Sequence, residues 1–459
     1  MRNLSIFLLL LSSLFLANCQ PKENPKANLI INLAGTGPDK LDVYHIGQEI
    51  HHQVTAQKDS LALDLKEATI LDLTQRRDHH YVHVTPNSTL NIDTLSGPEL
   101  LLGVSKNPSK ENTYLIDFAK LLAEQSAEFF TPDMTKKEVD TFLMLVQQKY
   151  EPLDKLVTQI KMDEALSSSF KTALSYRLTA NKGNDLLTYK NMYNYWHKAY
   201  PTLPDGFYSE LEALDFSDPS LMTFEEGRRL GLSWNNKDIS YTDYPSVTAY
   251  YNACLANIDK KYPASLLRDY FFYDMLYNDV NFGAGIDGAD SMITVFQSTI
   301  PNKYLNNKLT ETIAPWLTLK SGLDAPNFIA KKRDDVEVPL SDLKGKRVYI
   351  DVWATWCGPC IREIPALKKL EAELHGENVE FVSISIDNVK DKEKWLDFIA
   401  EKELTGLQLM AEGDWKSDIA TAYNIKGIPR FLLIDEAGKI ISANAPRPSS
   451  PDIKAVLLN

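Results

Sequence analysis

Arg347-Val348-Tyr349-Ile350-Asp351-Val352-Trp353 runs directly into Ala354-Thr355-Trp356-Cys357-Gly358-Pro359-Cys360. The first seven residues read as a buried strand. After Cys360, the residues Ile361, Ile364, Leu367 and Leu370 fall on one face of an amphipathic helix. Two cysteines flanking two residues at a strand-to-helix junction have a physical purpose. The first sulfur sits at the helix N-terminus, where unpaired backbone N–H groups and the dipole stabilise an anion. Its thiolate is favoured and becomes the nucleophile. The second lies one turn further on, within bonding distance, and can close the ring. A bare Cys-x-x-Cys could equally be half of a zinc site. No second cysteine or histidine pair has suitable spacing, however, and the only histidine after residue 197 is His375.

Trp356-Cys357-Gly358-Pro359-Cys360 is the thioredoxin active-site sequence, and the wider region resembles the TlpA/ResA-type branch of that family. The resemblance also rests on Ala325-Pro326-Asn327-Phe328, Leu340 to Lys346, Arg362-Glu363-Ile364-Pro365, the strand Val379 to Ile386, and Gly427-Ile428-Pro429-Arg430. Phe431 to Asp435 with Gly438 closes the expected sheet. It covers about residues 320–459 and implies an α/β thioredoxin fold there, with thiol:disulfide oxidoreductase activity and no cofactor.

The resemblance also implies roles. Cys357 matches the attacking cysteine and Cys360 the resolving one, so the two form a redox-active disulfide. Asp351 matches the buried acid behind the pair, and a carboxyl in that apolar setting should have a raised pKa. Pro429 matches the cis-proline that leaves the Ile428 backbone free for an extended substrate. Trp356 matches the residue that shields the sulfurs. Glu363 matches an acidic position that tunes the second sulfur or caps packing. Two residues depart from the pattern. Ser383 stands where thioredoxin carries a lysine near the buried acid. Arg430 replaces the usual threonine and is expected to place a cation beside the substrate groove.

The expected partners are protein disulfide or dithiol substrates and an upstream membrane electron donor. Reduction of exported protein or cytochrome cysteines is the expected direction, because the Gly-Pro dipeptide is that of a reductant. Two other readings stay open. One is a ligand- or protein-binding lipoprotein that uses the thioredoxin-like domain as a specificity scaffold. The other is a peroxidase of the related peroxiredoxin branch, against which the tryptophan and the second cysteine argue.

Arg2 opens the chain, and Leu4 to Ala17 is an almost unbroken apolar run. At about 14 residues it is short of the ~20 that a spanning helix needs, but right for a secretory signal. Leu16-Ala17-Asn18-Cys19 resembles a bacterial lipoprotein signal, which implies lipidation at Cys19 and anchorage to a membrane of the cell envelope, facing the periplasm. Residues 1–18 are then a signal peptide, and the polar, Pro-containing stretch 19–28 a tether.

Residues 29–104 alternate with period two between turn residues and read as a small all-β domain. This domain resembles one that often precedes thioredoxin-like modules in exported proteins of Bacteroidetes. Residues 105–318 switch to period 3.6 and read as an all-α region, with Pro152, Pro201, Pro204, Pro219 and Pro263 interrupting the helices. The thioredoxin-like domain occupies 319–459. At about 150 residues per domain, 459 residues allow roughly three.

Of eight histidines, His45, His51, His52, His79, His80 and His83 crowd the β region. His79 and His83 share a strand face but stand about 13 Å apart, too far to chelate together. A solvated polar face is the expectation. A net charge of −13 argues against a nucleic-acid binder held by phosphate neutralisation. Four cysteines are too few for a disulfide scaffold, and Cys254 is expected to be a buried small hydrophobe.

Overall fold

A computed structural model describes residues 26–33, 41–54, 58–65, 67–75, 78–94, 103–104, 108–129, 133–239, 243–244, 247–283 and 285–458. The segment 1–18, read as a signal peptide, and Cys19 lie outside the described residues. The chain divides into two compact units, one comprising residues up to Leu214 with Asp218–Leu230, the other Asp215–Ser217 with Gly231–Asn459.

In the first unit, apolar residues at alternate positions turn one face of each strand inward. The strands are β1 (Lys26–Leu33), β2 (Leu41–His45), β3 (Ile50–Val54), β4 (Lys58–Asp64), β5 (Thr69–Gln75), β6 (Asp78–Val84), β7 (Thr89–Thr94) and β8 (Gly103–Val104). They form two four-stranded sheets, ordered β4-β1-β7-β8 and β3-β2-β5-β6. Leu29, Ile31, Val43, Leu71, Leu73, Val82, Val84 and Ile92 meet in one core. Strand β1 begins at Lys26, so the last residues of the stretch read as a tether belong to a strand.

The outer face of β5 and β6 is also covered. Ile70 and Tyr81 join a second core with α1 (Lys110–Phe129), α2 (Val139–Met162) and α3 (Ser168–His197), built on Phe118, Tyr150, Leu153, Leu174 and Tyr189. Pro152, expected to interrupt a helix, lies inside α2. Its flanks Tyr150 and Leu153 are buried, and that packing holds the helix through the missing N–H.

Charges are buried between these layers. Arg228 and Asp72, each 2% exposed, pair at 2.8 Å. Asp72 also binds His79 at 3.0 Å, and Tyr44 accepts from Arg228. Arg177 lies over the rings of Tyr81, Phe118 and Phe224 while pairing with Glu226 at 3.1 Å. The histidines are therefore not the solvated face expected from their spacing. Several take separate carboxylates: His51 with Asp42, His52 with Asp59, His79 with Asp72, and the buried His83 near Glu111 at 3.9 Å. No three His, Cys, Asp or Glu gather for a metal among the described residues.

The helical stretch 105–318, read above as one block, is shared between the units because its apolar faces serve separate cores. Two further helices are α4 (Ser209–Glu212) and α5 (Glu225–Asn235), the latter running across the division. The second unit adds α6 (Val247–Lys261), α7 (Leu266–Phe282), α8 (Ile286–Thr299) and α9 (Lys303–Ile313). Cys254, Ile258 and Phe271 pack together there, and Cys254 is buried and free, its thiol pKa pushed up by burial.

The remaining strands are β9 (Ile329–Lys331), β10 (Glu337–Pro339), β11 (Arg347–Trp353), β12 (Val379–Ser385), β13 (Leu407–Met410), β14 (Arg430–Ile434) and β15 (Ile440–Ser442). They make one sheet ordered β10-β9-β13-β12-β11-β14-β15. Strands β11, β12 and β13 run parallel, and β14 pairs antiparallel with β11. The helices α10 (Gly358–Glu373), α11 (Lys392–Glu401), α12 (Asp418–Ala422) and α13 (Ile453–Leu458) complete a thioredoxin-like fold. Leu367 and Leu370 of α10 are buried against Tyr349, Phe381 and Phe431.

The buried Asp72 predicts a measurable loss. Asp72→Asn removes one charge partner from the buried Arg228 and should cost about 3 kcal/mol in urea unfolding of the full chain. Burial opposes charge on both Asp72 and His79, yet their mutual pairing, together with Arg228 on the Asp72 side, keeps the Asp72 pKa below its usual value and raises that of His79. The Asp72 contribution is therefore lost as pH falls through its lowered pKa. That of His79 is complete below the ordinary histidine pKa and lost as pH rises through its raised one.

Candidate active site

Strand β11 is buried along Val348 to Trp353, and both its neighbours are strands, so its C-terminal end is held rigidly. The chain leaves it at Ala354 and turns at once, with Cys357 N–H donating to Ala354 O at 3.0 Å. Cys357 is the N-cap of α10, and its Sγ accepts from the Cys360 N–H at 3.2 Å. Pro359 stands in the first turn, where no backbone N–H is needed.

Cys357 and Cys360 are bonded as a disulfide with Cα atoms 5.3 Å apart. Each is 4% exposed. The adjoining Trp356 is 53% exposed, with its ring centroid 6.2 Å from that of Trp415.

Sequence reasoning missed the residue that shapes this loop. Asp387, buried just beyond β12, accepts from Thr355 N–H at 2.9 Å, from Thr355 Oγ1 at 2.8 Å and from Ser385 Oγ at 2.7 Å. A carboxylate taking three such bonds fixes the backbone one residue before Trp356. The available signal was an acid directly after an apolar strand.

Asp351 lies behind the cysteines, in register with Ser383 of β12 and Phe431 of β14. It is buried, and its Oδ1 has no hydrogen-bond partner among the described residues. Burial, and secondarily the charges of Glu363 and Glu371, push its pKa up to about 8. A cavity of about 10 Å³ lies here, bordered by Asp351, Cys360, Ser383, Glu371 and Gln408. Asp351 and Cys360 thus share a space. With Ser383 in place of lysine, the cation beside the cavity is Lys368 of α10, whose ammonium donates to Lys402 O at 3.0 Å.

The Glu363 carboxylate is engaged by Ser449, at 3.1 Å from its N–H and 3.0 Å from its Oγ, with Arg447 at 3.7 Å. It ties α10 to the chain after β15 and raises the Asp351 pKa through space. Pro429 follows a cis peptide bond. One step beyond the Val352–Arg430 pair, the register sets Pro429 opposite Trp353, at the end of β11 where the cysteine loop begins.

Arg430 corrects an expectation. It does not put a cation beside the groove: it is 2% exposed, and its guanidinium donates to Asn281 O and Ala443 O while lying 5.3 Å from the Trp316 ring centroid. As a β14 residue paired with Val352, it points into the protein.

Residues 320–457 match the Redoxin family. The thiol-disulfide oxidoreductase ResA of Bacillus anthracis is 30% identical over 123 residues, which are 27% of this chain and 68% of that protein. The chain belongs to the ResA-type thiol-disulfide oxidoreductases. The thioredoxin-like protein YneN of Bacillus subtilis is likewise 30% identical, over 122 residues, 27% of this chain and 69% of YneN. A solved structure of a thiol-disulfide oxidoreductase from Bacteroides vulgatus is 35% identical, covering 30% of this chain and 96% of its own, with a TM-score of 0.28. The chain is thus a thioredoxin-like oxidoreductase, and the match covers under a third of its length.

The raised Asp351 pKa has a stability consequence. A carboxyl whose folded pKa exceeds its unfolded value makes the fold lose stability as pH rises from about 4 to about 8. Asp351→Asn should therefore stabilise the oxidised full chain by about 2 kcal/mol or more at pH 7, and hardly at all at pH 3. Urea unfolding at the two pH values measures the difference.

Proposed function

We propose that the chain reduces disulfides of exported proteins from a membrane-anchored position in the cell envelope, with Cys357 attacking and Cys360 resolving. The observation that carries this reading is the disulfide at the N-terminus of α10 with a buried, protonatable Asp351 across a shared cavity.

The reaction starts from the dithiol form. The Cys357 thiolate, favoured by the helix N-terminus, attacks one sulfur of a partner disulfide. That S–S bond breaks, a mixed disulfide forms, and the departing partner thiolate takes up a proton. The ionised form of Asp351, the minor one at pH 7 and the major one above about 8, accepts the Cys360 proton. The Cys360 thiolate then attacks Cys357 Sγ, the mixed disulfide breaks, and the departing second partner thiolate takes up the proton held by Asp351. Two electrons and two protons pass to the partner, and the Cys357–Cys360 disulfide results. An upstream membrane dithiol donor restores the reduced form. Pro429 matches the family's cis-proline position, next to which the Ile428 backbone pairs with the substrate chain.

The anchor is read from sequence. The apolar run Leu4 to Ala17 ending at Cys19 supports export, cleavage after residue 18 and lipidation of Cys19. No helix among the described residues is long and apolar enough to cross a membrane. Cytochrome and other exported cysteines are the substrate class this placement favours.

Cys360→Ser should accumulate covalent mixed disulfides with exported proteins on Cys357, visible as bands that dithiothreitol removes, and Cys357→Ser should give none. Equal trapping by both variants contradicts the assignment. Asp351→Asn should slow the resolving step about a hundredfold at pH 7 and flatten its rise with pH through about 8. Stopped-flow tryptophan fluorescence measures that step.

A further inference from the structure

The C-terminal end of α7 is fastened to the strand that follows the cis-proline. A helix end leaves carbonyls without partners in the helix. Here two of them are taken by side chains far along the sequence: Arg430 donates to Asn281 O, and Asn444 donates to Gly283 O. The Asn281 side chain is held as well, accepting from Trp316 Nε1 at 3.2 Å. The residue between these fixed points is Phe282.

Phe282 does not enter a core. It is 52% exposed, although residue 281 is buried. Its ring lies against Gly427, where an added Cβ would meet Phe282 Cε1 at 3.2 Å and Cδ1 at 3.7 Å. Gly427 immediately precedes the cis Ile428–Pro429 bond. Beside it, Tyr277 edges the Phe282 ring at 6.5 Å and carries the Lys426 ammonium at 5.8 Å. Two more exposed rings are Trp356, which precedes Cys357 in the chain, and Trp415, which lies beside the Trp356 ring. Large exposed apolar rings fixed at the rim of a reactive site are what contact a partner chain.

We propose that Phe282, contributed by the helical region, is a specificity-determining residue of the disulfide-exchange site. It selects partner segments that carry an aromatic or large aliphatic side chain next to the cystine. This rests on the reductase reading above. Arg430 and Asn444 act through Phe282 by holding the end of α7, so the departure at 430 serves to place a substrate contact. The electron balance is that of the Cys357–Cys360 exchange with the partner disulfide.

The test uses the full chain reduced with dithiothreitol and then desalted. Two synthetic cystine peptides differ only in having Phe or Ser beside one cysteine, and kcat/KM is measured for each. The parent should favour the Phe peptide, and Phe282→Ser should lower the Phe-to-Ser ratio at least fivefold. Phe282→Trp should keep the parental ratio, which a loss of folding would not do. A ratio in Phe282→Ser within twofold of the parent's overturns the proposal while leaving the reductase reading intact. A parent inert toward both peptides overturns that reading and this proposal with it.

Discussion

Strand β11 carries a buried carboxyl in the middle of a sheet, its Oδ1 without a hydrogen-bond partner among the described residues. With β12 on one side and β14 on the other, Asp351 must stay protonated over most of the physiological range or destabilise the fold. A rigid strand is needed to keep it there. The same rigidity delivers Cys357 to the N-terminus of α10 in a fixed orientation, since only Ala354, Thr355 and Trp356 intervene. Asp387 removes the remaining freedom by taking both polar groups of Thr355. The chemistry is asymmetric because the two sulfurs occupy different positions in that frame. One is at the cap, where the N–H groups converge; the other borders the cavity of the buried acid.

What the sequence discloses is what depends on near neighbours. The strand 347–353, the helix after Cys360 and the buried state of Asp351 follow from a run of apolar residues and a local motif, and the structure has all three. The alternating region before residue 104 is legible for the same reason, because a period of two decides which residues face the core. The direction of Arg430 is not local. It depends on a helix end some 150 residues earlier, whose carbonyl needs a donor. For Asp387 the sequence offers only an acid directly after an apolar strand; its partner Thr355 lies on another strand's loop. Pro152 usually breaks a helix, but the nearby Tyr150 and Leu153 are buried in the core and hold the turn. The histidines mislead in another way: their spacing reads as a solvated polar face, whereas the strands bring several of them to separate carboxylates, His79 to the buried Asp72.

The second unit thereby joins two regions with separate sequence signatures. Helix α7 has the period of a packed helix, and nothing in its sequence marks Asn281-Phe282-Gly283 as more than its end. The structure gives that end three external partners in Arg430, Asn444 and Trp316. A helical insertion ahead of a redox fold is then a way to vary the substrate rim without disturbing the strand and cap that perform the chemistry.

The central claim is that the two cysteines are unequal, with Cys357 the thiolate stabilised at the helix cap and Cys360 the thiol beside the buried acid. Alkylation of the reduced full chain by iodoacetamide across pH 5–10, with each site assigned by mass spectrometry, tests it most directly. The account predicts labelling at Cys357 with a midpoint well below the ordinary thiol value of about 8.5, and slow labelling of Cys360 throughout. Labelling of both cysteines together near pH 8.5, or of Cys360 first, would contradict it.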